Sequence, residues 1–194
     1  LLRGIPSIYA LMSKPPVFLD RDGTLIVEKE YLRDPDQVAI EKTVIEGLSM
    51  LQQLQYPLIV VSNQSGVSRG LMTEAEAHQV NARVDALLRE QGVRILAWYI
   101  CPHGPDSDCA CRKPLPGMAL EAAREWQLKL AGCFVVGDKR ADVEMADAIG
   151  GAGILLTTGH GQKSLSWALA EGRPVFNEFR AAAQFIIASG TARS

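Results

Sequence analysis

Asp20 and Asp22 stand directly after the apolar triplet Val17-Phe18-Leu19, separated only by Arg21 and followed by Gly23-Thr24. At an extended strand end, residues two apart face the same side, so both carboxylates can point into one crevice. Two acids in one crevice repel unless a cation sits between them. A hard cation such as Mg²⁺ takes oxygen ligands and commonly uses one or two carboxylates together with substrate phosphate. Gly23 lets the backbone turn sharply there. The same short pattern also fits a solvated turn, where Asp and Gly are common, so its meaning depends on what surrounds it.

A second group capable of chemistry is Cys101, His103, Cys109 and Cys111, in the run C-P-H-G-P-D-S-D-C-A-C. Three thiolates and one imidazole make a complete tetrahedral zinc set, and a set with no open position is of the structural kind. The C-x-H and C-x-C steps are tighter than most zinc-finger spacings. Disulfide bonding is the other reading, and the lack of a secretion signal argues against it. Cys133 begins an apolar strand and reads as core packing.

These residues need a scaffold, and the sequence describes one. Apolar runs of strand length recur between segments of helical period, the alternation that builds a parallel sheet. The predicted strands are 17–19, 58–62, 97–101, 133–137 and 153–156, nearly continuous in hydrophobicity, as strands covered on both faces should be. Helices are predicted over 44–54, over 117–129, over 142–149 and over 177–189. Another opens on the capping box Thr73/Glu76, carries Ala77, Val80, Val84 and Leu87 on one face and ends near Gly92. Residues 159–172 read as a loop plus a short helix. The expected fold is therefore a doubly wound, mostly parallel α/β domain, Rossmann-like, with its ligand site outside the carboxyl ends of the strands.

Composition agrees with a single domain. The chain has 194 residues, 47% hydrophobic and 22% charged, which is the balance of a globular protein. We expect residues 14–194 to form that domain, preceded by an extension over 1–13. A net charge of −2 gives no electrostatic reason to expect nucleic acid or an anionic membrane as partner. No apolar run approaches the roughly 18 residues of a membrane span. A cytoplasmic monomer is the expectation.

The run D-R-D-G-T-L at Asp20–Leu25 resembles motif one of the haloacid dehalogenase-like phosphatases. In that family the first Asp attacks phosphorus and the second acts as general acid, then base. The residue types suit those roles, since a carboxylate can serve as covalent nucleophile and a positioned carboxyl can protonate a leaving oxygen. The other family motifs follow in order. Ser62 matches the motif-two hydroxyl, with Asn63 offering a backbone N–H. Lys113, in C-R-K-P, matches the motif-three cation that offsets phosphoryl charge. Asp138, in G-D-K-R-A-D, matches the motif-four metal ligand. The resemblance thus implies Mg²⁺ held by Asp20, Asp22 and Asp138. Asp142 reads either as an acid behind the site or as a helix N-terminal residue set against the dipole. So little chain separates the motifs that no large cap domain fits between them.

The cysteine loop resembles the zinc loop of one branch of the family, the heptose bisphosphate and histidinol phosphate phosphatases. That resemblance implies structural Zn²⁺ on Cys101, His103, Cys109 and Cys111, fixing the loop that aims Arg112 and Lys113 at substrate. Within the branch, Ser62–Gly70, including Gln64 and Ser65, is similar to the heptose group, as is Lys139 after Gly137-Asp138. Histidinol phosphatases typically carry Asp at the position of Ser65. Glu28, Lys29, Glu30 and Tyr31 match the substrate-contact loop, although that group usually has Gly where Glu30 stands. The implied reaction is hydrolysis of the C7 phosphate of a heptose 1,7-bisphosphate, a step toward the lipopolysaccharide heptose precursor. Histidinol phosphate is the alternative substrate. A receiver-like signalling domain is the rival of another class, but its phosphoacceptor sits on a middle strand of the chain.

Overall fold

The computed structural model describes residues 14–191, so the extension expected over 1–13 lies outside the described residues. Six strands form one sheet: β1 Val17–Leu19, β2 Leu58–Asn63, β3 Ala97–Cys101, β4 Phe134–Gly137, β5 Ala152–Leu156 and β6 Val175–Phe176. Their order is β3-β2-β1-β4-β5-β6, and every neighbouring pair is parallel. The chain builds outward from β1 on one side, then returns to build outward on the other. The order therefore reverses between β1 and β4, where a doubly wound sheet opens its ligand crevice.

Six helices cover the two faces: α1 Val44–Gln53, α2 Glu74–Glu90, α3 Gly117–Trp126, α4 Arg140–Ala148, α5 Leu165–Ala170 and α6 Phe179–Thr191. Alternation along each strand sends side chains to opposite layers. Val17 and Leu19 of β1 join α1, α2 and α6 in one core, with Leu48, Val84 and Ala183 among its members. Phe18 enters the other, against Met118 of α3 and Met145 of α4. Phe18 is fully buried, and its truncation to Ala would cost about 3–5 kcal/mol. No inserted domain interrupts the described residues between these elements.

Helix α2 shows how local signals place an element. Thr73 Oγ1 accepts from Glu76 N at 3.1 Å while Glu76 accepts from Thr73 N at 2.7 Å, closing the predicted capping box. Its buried face is Ala77, Val80, Asn81, Val84 and Leu88. Leu88 stands where the sequence pattern put Leu87, because the contact follows an i+4 rather than an i+3 step. Helix α3 stops three residues before its predicted end, where Gln127 takes a left-handed conformation (φ 54°). Helix α4 starts two residues before its predicted start, at Arg140. The sequence reading contained no β6. Two residues at a sheet edge carry too little periodicity to register.

Candidate active site

The crevice is built from the ends of β1, β2 and β4 and the loops that follow them. Asp20 leaves β1 with its N–H still donating to Val136 O of β4 at 2.9 Å, so its backbone is held at the point where the strand order reverses. Its carboxylate meets the Lys113 ammonium at 2.6 Å. Lys113 Nζ also reaches Asp142 Oδ1 at 2.6 Å and donates to Val61 O at 2.7 Å. All three charged side chains are buried. Burial opposes ionisation of Asp20, yet Lys113 and then Lys139 outweigh it and hold the carboxyl below its usual range. Burial likewise opposes charge on Lys113, but Asp142 and Asp20 more than offset it and raise its pKa.

Lys113 is placed from β2. Asn63 donates from Nδ2 to Lys113 O at 3.1 Å and accepts from Lys113 N at 3.0 Å, a reciprocal clasp between a strand end and the cysteine loop. Asn63 therefore acts on the loop through its side chain, in addition to lining the cavity. Ser62 was expected against phosphoryl oxygens. It lies buried beneath the cavity wall, its hydroxyl accepting from Gln64 Nε2 at 2.8 Å, because the Gln64 side chain folds back over the strand end.

Asp138 follows β4 and is fully buried. Oδ2 accepts from His160 N at 2.7 Å, whereas Oδ1 has no hydrogen-bond partner and lies 3.3 Å from the Lys139 ammonium. Burial, then the charge of Asp20, push this carboxyl up to about 7. Gly23 and Gly159 flank it so closely that a Cβ at either position would strike its Oδ2. Asp142 sits in the first turn of α4, where Oδ2 accepts from Lys139 N at 3.0 Å while Oδ1 faces Lys113. Both of its possible sequence readings hold, since one oxygen serves the helix start and the other backs the site.

Asp20, Asp138 and Asp142 each offer an oxygen within 4.8 Å of the others, a spacing that suits a cation. The donor chemistry fits Mg²⁺, because these are hard carboxylate oxygens and Asp138 Oδ1 is buried without a hydrogen bond. The Asp22 carboxylate, expected in this group, turns elsewhere. The Arg21 guanidinium grips it at 2.9–3.1 Å and Gln64 Nε2 donates to it at 2.8 Å. That fork is a better partner than a position among three other acids.

A cavity of about 330 Å³ opens over this floor. Asp20, Asp22, Asn63, Gln64, Ser65, Arg112, Lys113 and Lys139 line it, and Glu28, Lys29, Glu30 and Tyr31 form its outer wall. His160 also lines it and was not anticipated; it comes from the loop after β5, in the run G-H-G, where nothing but proximity to a strand end marked it. His160 and Lys139 both approach Glu28, at 3.7 Å and 3.5 Å.

The cysteine loop runs from the end of β3 back to Lys113. Cys111 Sγ lies 3.2 Å from Cys101 Sγ and 3.3 Å from His103 Nδ1, Cys101 Sγ lies 3.9 Å from Cys109 Sγ, and no disulfide joins them. A tetrahedron with zinc–sulfur arms of ~2.3 Å has sulfur–sulfur edges of about 3.8 Å. The four donors thus already stand near the corners of such a polyhedron. Burial and the neighbouring Cys111 push the Cys101 thiol up to about 12, a cost that a central cation would offset. Arg112, next in sequence, donates to His103 O at 3.0 Å and is tied into the same loop.

A family model described as HAD-hydrolase-like matches residues 110–182. The D-glycero-beta-D-manno-heptose-1,7-bisphosphate 7-phosphatase of Bordetella bronchiseptica is 35% identical over 173 residues, covering 88% of this chain and 97% of that protein. The enzyme of the same name from Pseudomonas aeruginosa is 34% identical over 177 residues, covering 91% and 99%. The crystal structure of the B. bronchiseptica D,D-heptose 1,7-bisphosphate phosphatase, in complex with magnesium and phosphate, superposes with a TM-score of 0.81 at 34% identity, covering 89% of this chain and 98% of that one. With the strand order, the crevice and the acid cluster in the same chain, the conclusion is that it belongs to the haloacid dehalogenase-like hydrolases, in the family of the heptose-1,7-bisphosphate 7-phosphatases.

Proposed function

We infer that this chain is a Mg²⁺-dependent phosphatase that removes the C7 phosphate of D-glycero-β-D-manno-heptose 1,7-bisphosphate, within lipopolysaccharide heptose synthesis. The observation that carries the reading is the Asp20 carboxylate, kept ionised by Lys113 at the floor of a cavity whose wall holds Arg112 and Lys139. An Asp20 oxygen attacks phosphorus, and the bond from phosphorus to the C7 oxygen breaks. The Asp22 carboxyl gives its proton to that oxygen, releasing the alcohol. A water then attacks the aspartyl-phosphate and yields a proton to the Asp22 carboxylate. The phosphorus–oxygen bond to Asp20 breaks, inorganic phosphate leaves, and both carboxyl groups regain their starting states.

Asp20 and Asp138 would hold Mg²⁺, since both oxygens of Asp142 are already engaged. When bound, the ion supplies Lewis-acid charge for a phosphoryl oxygen. Lys113 adds fixed positive charge from the protein side. Zn²⁺ on Cys101, His103, Cys109 and Cys111 would pin the loop that presents Arg112 and Lys113. Among the described residues no helix is long and apolar enough to cross a membrane.

The test is phosphate release from a panel containing heptose 1,7-bisphosphate, histidinol phosphate and hexose monophosphates. Specificity is a ratio of kcat/KM values, so binding of one substrate alone does not decide it. The bisphosphate is expected to lead. Equal or better turnover of histidinol phosphate would overturn the substrate assignment and leave the phosphatase chemistry standing.

A further inference from the structure

Arg21 separates the two aspartates in sequence, yet its side chain does not enter the cavity. It is 1% exposed and is the largest fully buried side chain of the described residues. A guanidinium taken out of water must be fully partnered. Here Nε donates to Asp22 Oδ2 at 3.1 Å and Nη2 to Asp22 Oδ1 at 3.1 Å, a two-pronged grip on one carboxylate. Nη1 points the other way, to Asn81 Oδ1 at 2.7 Å and Ala77 O at 3.5 Å on α2.

Helix α2 is itself fixed by its capping box and its buried face, in which Asn81 alone is polar among Ala77, Val80, Asn81, Val84 and Leu88. The chain of contacts therefore runs from a packed helix, through Asn81 and Arg21, to Asp22. Gln64 Nε2 closes the opposite side at 2.8 Å. A carboxylate has about four lone-pair directions. Three N–H groups occupy three of them, which leaves one free in a carboxylate that lines the cavity.

We propose that Arg21, anchored by Asn81, is a positioning residue that fixes the orientation of Asp22 for proton transfer at the leaving oxygen. This rests on the reading of Asp22 as general acid and base. Lys in place of Arg keeps the charge and loses the planar fork, so it cannot grip both oxygens while reaching Asn81. A purely structural role for Arg21 would lower stability without any dependence on Asp22.

Arg21→Lys and Asn81→Leu are each made in the wild-type chain and in Asp22→Asn, with folding checked by thermal melts. Asn81→Leu leaves Arg21 and both aspartates in place, so it serves if Arg21→Lys does not fold. In the wild-type background kcat should fall roughly 10- to 100-fold with KM nearly unchanged, as for a misplaced catalytic group. In the Asp22→Asn background the same changes should cost less than about 3-fold more, because coupled residues are not additive. First-turnover release of nitrophenol from p-nitrophenyl phosphate, whose leaving group needs no proton, should also be spared. Full additivity in the Asp22→Asn background, or an unchanged kcat in both folded variants, overturns the proposal. Should Asp22→Asn alone cost nothing, the acid–base reading falls and takes this one with it, a pattern distinct from a large Asp22 effect with an additive Arg21 effect.

Discussion

The Lys113 ammonium lies 2.6 Å from the carboxylate of Asp20, a residue 93 positions earlier in the chain, with both side chains almost wholly buried. Breaking a buried pair by removing one partner typically costs ~3–5 kcal/mol, because the other charge is left uncompensated. Lys113→Met should therefore lower stability by about that amount in metal-free buffer, read from urea unfolding, and abolish turnover. Added Mg²⁺ should return part of the lost stability, since it supplies charge to the same acids.

Asp20→Asn is the converse case. It removes one acid from a crowded cluster, so folding should persist, while an amide is a poor nucleophile and a weaker metal ligand. Circular dichroism should be unchanged and phosphate release should vanish. Near-normal turnover in the purified variant would remove Asp20 as nucleophile.

Asp142 also lines the cavity, and its Oδ1 is the second carboxylate partner of Lys113. Asp142→Asn weakens a charge-assisted hydrogen bond worth about 1.5–3 kcal/mol, so kcat/KM should drop about 10- to 100-fold. Steady-state kinetics on the natural bisphosphate checks this, and an unchanged kcat/KM would contradict it.

The four cysteines separate into two populations. Cys133 is buried and burial alone pushes its thiol up to about 11, so at neutral pH it stays protonated and inert. With zinc bound, a thiol reagent should find no reactive cysteine in the native protein. After zinc extraction it should find the two partly exposed ones, Cys109 and Cys111, and it should reach the buried Cys101 and Cys133 only in denaturant. Metal analysis finding no zinc in freshly purified protein would defeat the assignment.

Arg112 and Lys139 line the cavity, Lys139 with its ammonium 3.3 Å from Asp138 Oδ1, and a second phosphate of the substrate would meet these cations there. Replacing either by Met should reduce the preference for the bisphosphate over the 7-monophosphate by on the order of 1.5–3 kcal/mol, or about 10- to 100-fold. A uniform loss on both substrates would assign these cations to the transferred phosphate instead.

Much of this site could be read from the sequence because its parts sit at strand ends. Asp20, Ser62, Cys101 and Asp138 each end or follow an apolar run whose hydrophobicity marks a buried strand. What could not be read is side-chain direction. Asp22 has the right spacing for a metal ligand, but the orientation of its carboxylate is decided by Arg21 and by Asn81, a residue on a helix distant in sequence. Ser62 is one residue from the cavity wall, and only the back-folded Gln64 places it beneath rather than on it. His160 reaches the site through a loop whose Gly-rich composition gives no periodic signal.

Gly23 and Gly159 belong to different loops, both have positive φ, and each lies against the carboxylate of Asp138. Every substitution at either position adds a carbon, so tolerance is decided before the identity of the new side chain matters. In a saturation-mutagenesis map of activity these two columns should be blank from Ala to Trp, while Gly92 and Gly172, with equally positive φ but nothing nearby, should accept Asn and Asp. The two loops are in effect a single lock around one acid, and any change in the cavity's specificity has to arise from the outer wall, where side chains have room to vary.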